Sequence, residues 1–185
     1  MYEGREIKIV FTGPMGAGKT TAIAALSDTA PVATEVHNAD RASADKDTTT
    51  VALDFGQIQL DDGLVVRLYG TPGQDRFNFM WQILGTGALG VILLLDASRV
   101  TALTELDTYL ASFDAQAREG RLVIGLGRTE APGSLKPADV LRRLRIDRLA
   151  LPVFSVDVRQ RDDVLLLMEA LVNLIEVAPT EESHR

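Results

Sequence analysis

The chain has 185 residues, a length that suits one domain with a sizeable core. Apolar residues make up 46% of it and charged residues 24%, while the net charge of −7 argues against a general nucleic-acid or anionic-membrane surface. There is no cysteine, which excludes disulfides, thiol catalysis, zinc-thiolate sites and prenyl or palmitoyl attachment. Tyr2 stands where myristoylation needs Gly. The N-terminus lacks the apolar stretch of a signal peptide, and the longest apolar run, "ALGVILLL", is too short to span a bilayer. A cytoplasmic protein without its own lipid anchor and without a nucleic-acid partner is the expectation.

"EIKIVFTG" reads as a strand feeding a glycine-rich loop, and "KTTAIAALSD" as the helix after it. Residues 29 to 50 are polar and rich in Ala, Asp and Thr, which predicts a long functional or mobile loop. "TVALDFGQIQL" and "LVVRLYG" flank "DDG", a hairpin signal. "ALGVILLLD" has the continuous apolar character of a strand covered on both faces. From Thr101 to Ala117 a helix is expected, with Leu103, Leu106, Leu110 and Phe113 on its inner stripe. "RLVIGL" is a further strand, Pro137 opens a short helix carrying Val140, Leu141 and Leu144, "LPVFSV" is the last strand, and Asp162 to Glu176 the last helix. The alternation predicts an α/β fold of three layers, α/β/α, around a mostly parallel six-stranded sheet with one antiparallel edge strand. Residues 1–178 form the single domain and 179–185 a disordered acidic tail. Ligands of such sheets bind at the carboxyl ends of the strands.

"GPMGAGKT", from Gly13 to Thr20, fits the phosphate-loop pattern G-x-x-x-x-G-K-[ST] at every fixed position. Glycines let successive backbone N–H groups curl around a phosphate, and the following helix N-terminus adds partial positive charge. Gly13, Pro14, Met15, Gly16, Ala17, Gly18, Lys19, Thr20 and Thr21 are therefore candidate nucleotide contacts. Lys19 is placed to reach the β- and γ-phosphates and Thr20 to ligate Mg2+. A plain glycine turn before a helix is the bland alternative, and a full chance match in a chain this long is rare.

The same loop resembles small-molecule kinases of the shikimate kinase type, and Asp96 could pass for the magnesium-site carboxylate of a generic P-loop ATPase. Such kinases carry an arginine-bearing lid and an acidic substrate motif after the first helix, and neither is clear here. The order "DKDTTTVALDFG", hairpin, "YGTPGQDRF" instead resembles Ras-like small GTPases. That resemblance spans about residues 6 to 177. "TTT", "GTPGQ" and "RF" resemble the bacterial branch of gliding-polarity proteins and those encoded with roadblock-type partners in actinobacterial conservons. The resemblance implies a small-GTPase P-loop fold that binds GTP/GDP and Mg2+. It picks Thr50, with Thr48 and Thr49 as competitors, for Mg2+ and the γ-phosphate. Gly73 would donate its N–H to that phosphate, and Gln74 would orient the attacking water. In this branch Gly70 stands where other Ras-like proteins have a magnesium-site Asp, and its presence should weaken the grip on metal. Asp96 becomes a turn or capping group.

The guanine signature [NT]-K-x-D aligns with Gly127, Arg128, Thr129 and Glu130. Glu130 could accept from guanine N1 and N2, and Arg128 could lie along the base. Ser155, Val156 and Asp157 stand where the family has a further base loop. Drifted loops that hold no base specifically are the alternative.

Four of the ten aromatic residues, Tyr69, Phe77, Phe79 and Trp81, fall between positions 69 and 81, around the "GTPGQ" turn. At least two are expected in the core and the rest on a partner surface that responds to the γ-phosphate. Arg41, Lys46 and Arg76 are candidate charge-stabilising fingers, although surface cations are ordinarily just solvated. His37 and His184 have no ligand pattern around them. The resemblance implies a slow GTPase switch acting on a regulatory or effector protein, and its bacterial branch implies one of roadblock type. A non-hydrolysing adaptor and an ATP-dependent kinase are the alternatives.

Overall fold

The computed structural model describes residues 6–29, 32–37, 50–61 and 63–177. β1 (Glu6–Thr12) lies at the centre and pairs in parallel with β4 (Val65–Gly70) on one side and β5 (Gly90–Asp96) on the other. β6 (Leu122–Gly127) and β7 (Val153–Ser155) extend the parallel sheet beyond β5. β3 (Thr50–Gln59) runs antiparallel to β4 through a hairpin whose turn is closed by the Leu60 amide on the Leu64 carbonyl, 2.9 Å.

The fold is the expected three-layer α/β arrangement with one strand running against the rest. It has one strand more than the sequence suggests. β2 (Val32–His37) pairs antiparallel with β3, giving the order β2-β3-β4-β1-β5-β6-β7. β3 is therefore one in from the edge, and residues 32–37 are strand rather than loop. "VATEVH" alternates β-branched residues, a strand pattern that its Ala- and Asp-rich surroundings mask. Thr48, Thr49, Arg41, Lys46, His184 and the tail 179–185 lie outside the described residues. So do the side chains of His37 and Thr50, which are placed as backbone in β2 and β3.

Strand alternation splits the core into two layers. Ile9, Phe11, Ile92 and Leu94 face α1 (Lys19–Leu26) and α6 (Arg161–Val177). Val10, Val91, Leu93 and Leu95 face α2 (Asn78–Gly85), α3 (Ala102–Ser112), α4 (Asp114–Arg118) and α5 (Pro137–Ile146). Every residue of β5 is buried, as its unbroken apolar run requires. Pro137 does open α5, and the Asp139 carboxylate accepts from the Lys136 amide at 2.9 Å to cap it.

α3 departs from expectation. It ends at Ser112, and its buried stripe is Ala102, Leu106, Tyr109 and Leu110, followed by Phe113. Leu103 is exposed instead, because Tyr109 turns inward to stack on Trp81 with ring centroids 4.3 Å apart. Trp81 is fully buried, while Phe77 is half-buried and Phe79 exposed, so the aromatic cluster divides between core and surface. Trp81→Ala should cost about 3–5 kcal/mol in urea unfolding followed by circular dichroism. Leu103→Ala should cost under about 1 kcal/mol, and the reverse ranking would place the stripe on the wrong face.

Candidate functional site

The loop from Gly13 to Thr20 joins β1 to α1 at the carboxyl end of the sheet. Gly13, Gly16 and Gly18 have φ of 139°, 82° and 99°, values that side-chain-bearing residues avoid. At Gly13 sterics add to this, since a Cβ there would sit 2.0 Å from the Leu94 carbonyl oxygen. The loop curls around Lys19, whose Nζ donates to the carbonyls of Gly13 (2.7 Å) and Pro14 (2.8 Å). Burial pulls the Lys19 ammonium pKa down to about 8, against the opposing pull of the Asp54 carboxylate.

Asp54 is a residue to which the sequence alone assigns no role. Its Oδ2 accepts from the Thr20 hydroxyl at 2.6 Å. In the β3–β4 register Asp54 lies directly beside Gly70, and a Cβ on Gly70 would come within 2.9 Å of the Asp54 Cβ and 3.1 Å of its Oδ2. The carboxylate that a residue at 70 could have carried is supplied from the neighbouring strand. The signal was a single acid inside the otherwise apolar "TVALDFG", legible only once the hairpin register is known.

The "TPGQ" turn is fastened to the phosphate loop. The Thr71 amide donates to the Phe11 carbonyl (2.9 Å), and its buried hydroxyl pairs with that of Thr12 (2.9 Å). Gly73 packs so closely on the loop that a Cβ would lie 2.4 Å from the Met15 amide nitrogen. Gln74 follows half-buried and opens the short 3-10 turn Asp75–Phe77. The Pro72 carbonyl accepts from Trp81 Nε1 at 2.7 Å, so the turn is wired to α2. Arg76 lies over the Phe77 ring, 4.8 Å from its centre.

These groups open onto a cavity of about 990 Å³. Met15 to Thr21, Asp54 and Thr71 to Gly73 line one end; Arg128, Thr129, Glu130 and Ser155 to Arg159 line the other. Gly13, Pro14 and Gln74 lie outside this lining. At the far end Arg128 departs from the expected course along a base. Held at φ 57°, it turns its guanidinium onto the Asp96 carboxylate, which also accepts from the Ser98 amide (3.0 Å) and hydroxyl (2.6 Å). Burial works against ionisation of Asp96, but the Ser98 and Arg128 donors prevail and hold its carboxyl below the usual range. Asp96 is thus the turn group expected of it. Asp157 is gripped by Arg159 through Nε (2.8 Å) and Nη2 (2.7 Å), which lowers its pKa to about 2. Arg99, also unforeseen, donates to the Met15 carbonyl at 3.1 Å while pairing with Glu105 at 3.1 Å.

A family model described as a conserved hypothetical ATP binding protein matches residues 32–118. An uncharacterised protein of Methanocaldococcus jannaschii is 31% identical over 51% of this chain and 53% of its own length. Human Ras-related protein Rab-40B is 30% identical over 60% of this chain and 37% of its own length, and zebrafish (Danio rerio) Ras-related protein Rab-18-B 25% identical over 94% and 80%. The chain thus spans about half the length of the archaeal relative and little over a third of Rab-40B. The G domain of the T. maritima FeoB iron transporter superposes with a TM-score of 0.64 at 16% identity, covering 92% of this chain and 99% of that one. No described helix is long and apolar enough to cross a membrane. The chain thus has the fold of a GTPase G domain, with a P-loop at the carboxyl end of its sheet.

Proposed function

We propose that this domain binds GTP and GDP with Mg2+, hydrolyses GTP slowly, and signals the difference to a protein partner through the turn Thr71–Gln74. The observation that carries the reading is the seating of Gly73 against Met15, which brings that turn to the phosphate end of the cavity. The "GTPGQ" resemblance further suggests a bacterial switch with a roadblock-type partner.

Phosphates entering the loop offer Lys19 better acceptors than the carbonyls of Gly13 and Pro14, and the loop amides and α1 N-terminus complete the cradle. Thr20 and Asp54, joined by Thr50 from the start of β3, are the residues for Mg2+. The ion neutralises charge on the β- and γ-phosphates when bound.

Gly73 donates its N–H to the γ-phosphate and Gln74 orients a water for in-line attack on the γ-phosphorus. The bond to the bridging oxygen breaks, and the water's proton leaves with inorganic phosphate. Losing the γ-phosphate frees Gly73, and the Pro72–Trp81 hydrogen bond passes that change to α2. Among the described residues the arginines lining the cavity are Arg128 and Arg159, both at its base end; slow hydrolysis without a partner is what the family resemblance implies. ATP is the second reading, favoured by the ATP-binding family description and the departures at Gly127–Glu130. Thermal shift with GDP, GTP, ADP and ATP tests the choice: stabilisation by adenine nucleotides alone sinks the guanine reading.

Gln74→Leu should slow single-turnover phosphate release at least about tenfold with GDP affinity within about twofold of wild type. An unchanged rate would remove Gln74 from the chemistry, and an absence of release from wild type would support the non-hydrolysing adaptor.

Lys19 gives the site a pH signature. With its pKa near 8 in the free protein, phosphate binding must restore the proton. Calorimetry in buffers of different ionisation enthalpy should record uptake of roughly 0.8 proton per GDP at pH 8.5 and roughly 0.1 at pH 7. Lys19→Met should abolish the difference, and equal uptake at both pH values would contradict the assignment. The nucleotide-free protein loses this proton before the unfolded chain does. Its stability should therefore rise with pH from about 8 toward 10.5.

A further inference from the structure

We propose that Arg159 reads the purine ring. Its guanidinium donates to O6 and N7 of guanine while Glu130 accepts from N1 and the 2-amino group, and the two together select guanine over adenine. The inference rests on the guanine-nucleotide reading above and names the residue that sets specificity in that site.

Glu130 and Arg159 line the same end of the cavity from different loops, one after β6 and the other after β7. Asp157 holds Arg159 at two points and also accepts from its backbone amide at 3.0 Å. That grip fixes the guanidinium plane and uses two of its five N–H donors, leaving three for a ligand.

Other donors at this end are already engaged. The Val156 amide bonds the Leu126 carbonyl (2.9 Å), the Asp157 amide bonds the Asp163 carboxylate (2.7 Å), and the Gln160 amide bonds the Asp157 carbonyl (2.8 Å). Of the amides from 156 to 160, only that of Val158 lacks a partner among the described residues. Arg128, the other cation of the cavity wall, is committed to Asp96. Arg159, beside the hydroxyls of Thr129 and Ser155, is thus the cation at this end with donors left for a purine's acceptor edge.

Guanine presents O6 and N7 acceptors to it and N1 and N2 donors to Glu130. Adenine would set its 6-amino group against the Arg159 donors and its N1 lone pair against the Glu130 carboxylate, two mismatches at once. With its side chain 78% exposed, Arg159 can be replaced without disturbing the core.

The test is calorimetric titration of GDP, IDP and ADP into wild type, Arg159→Gln and Arg159→Lys with Mg2+ present. IDP keeps O6, N7 and the N1 proton but lacks the 2-amino group. Arg159→Gln should weaken GDP and IDP each by about tenfold and leave ADP within about twofold. Arg159→Lys should recover part of the loss as a single-point donor. A wild type that prefers GDP, with a GDP-to-ADP ratio unchanged in Arg159→Gln, overturns this inference alone; so does an equal loss for all three ligands. A wild type that prefers ADP overturns the guanine reading and this inference with it.

Discussion

A single hydrogen bond, from the Thr20 hydroxyl to the Asp54 carboxylate, ties the first turn of α1 to β3 and fixes where negative charge sits in the site. The β3–β4 register makes that carboxylate incompatible with a side chain at 70, where the Asp54 Cβ and the Ile23 methyl already occupy the space. Gly70 is thus a steric requirement of Asp54. The substitution that looks like a lost magnesium ligand in sequence is, in three dimensions, room left for a carboxylate from the next strand.

Around this bond the parts depend on one another. The phosphate loop can curl only with glycines at its positive-φ positions, and its curl carries the buried Lys19. Gly73 packs on the loop from the other side, while Thr71 and Thr12 pin the start of the same turn to β1. Trp81 then joins that turn to Tyr109 in α3, and Arg99 reaches from the start of α3 back to the Met15 carbonyl. A change in what Gly73 touches would meet a continuous path of packed and hydrogen-bonded groups, as the proposed switch requires.

How much of this could be read in advance follows from the range of the interactions. The phosphate loop and β5 were legible because each is encoded locally, by glycine spacing and by an unbroken apolar run. The fit of Asp54 beside Gly70 was hidden because it depends on register across a hairpin, and no local pattern states a register. β2 was missed because short alternation in a polar segment is weak evidence until a partner strand is present. In α3 Leu106, Leu110 and Phe113 face inward as expected, while Ala102 and Tyr109 are buried and Leu103 is exposed, because Tyr109 finds in Trp81 an aromatic partner that local periodicity does not reveal. The pairing of Arg128 with the Asp96 carboxylate on the adjoining strand is likewise hidden in sequence, because it depends on strand order, while Arg128 still lines the cavity.

The account stands most directly on the claim that Asp54 supplies the carboxylate of the magnesium site and that Gly70 makes space for it. The measurement is the rate of GDP release, with Mg2+ and with EDTA, from wild type, Asp54→Ala and the exchange variant Asp54→Gly/Gly70→Asp, in which the Cβ at 54 that blocks a side chain at 70 is gone. The account predicts slow release from wild type that EDTA accelerates, fast release from Asp54→Ala even in Mg2+, and return of Mg2+-dependent retention in the exchange variant. Release from Asp54→Ala that keeps the wild-type response to Mg2+ would contradict it.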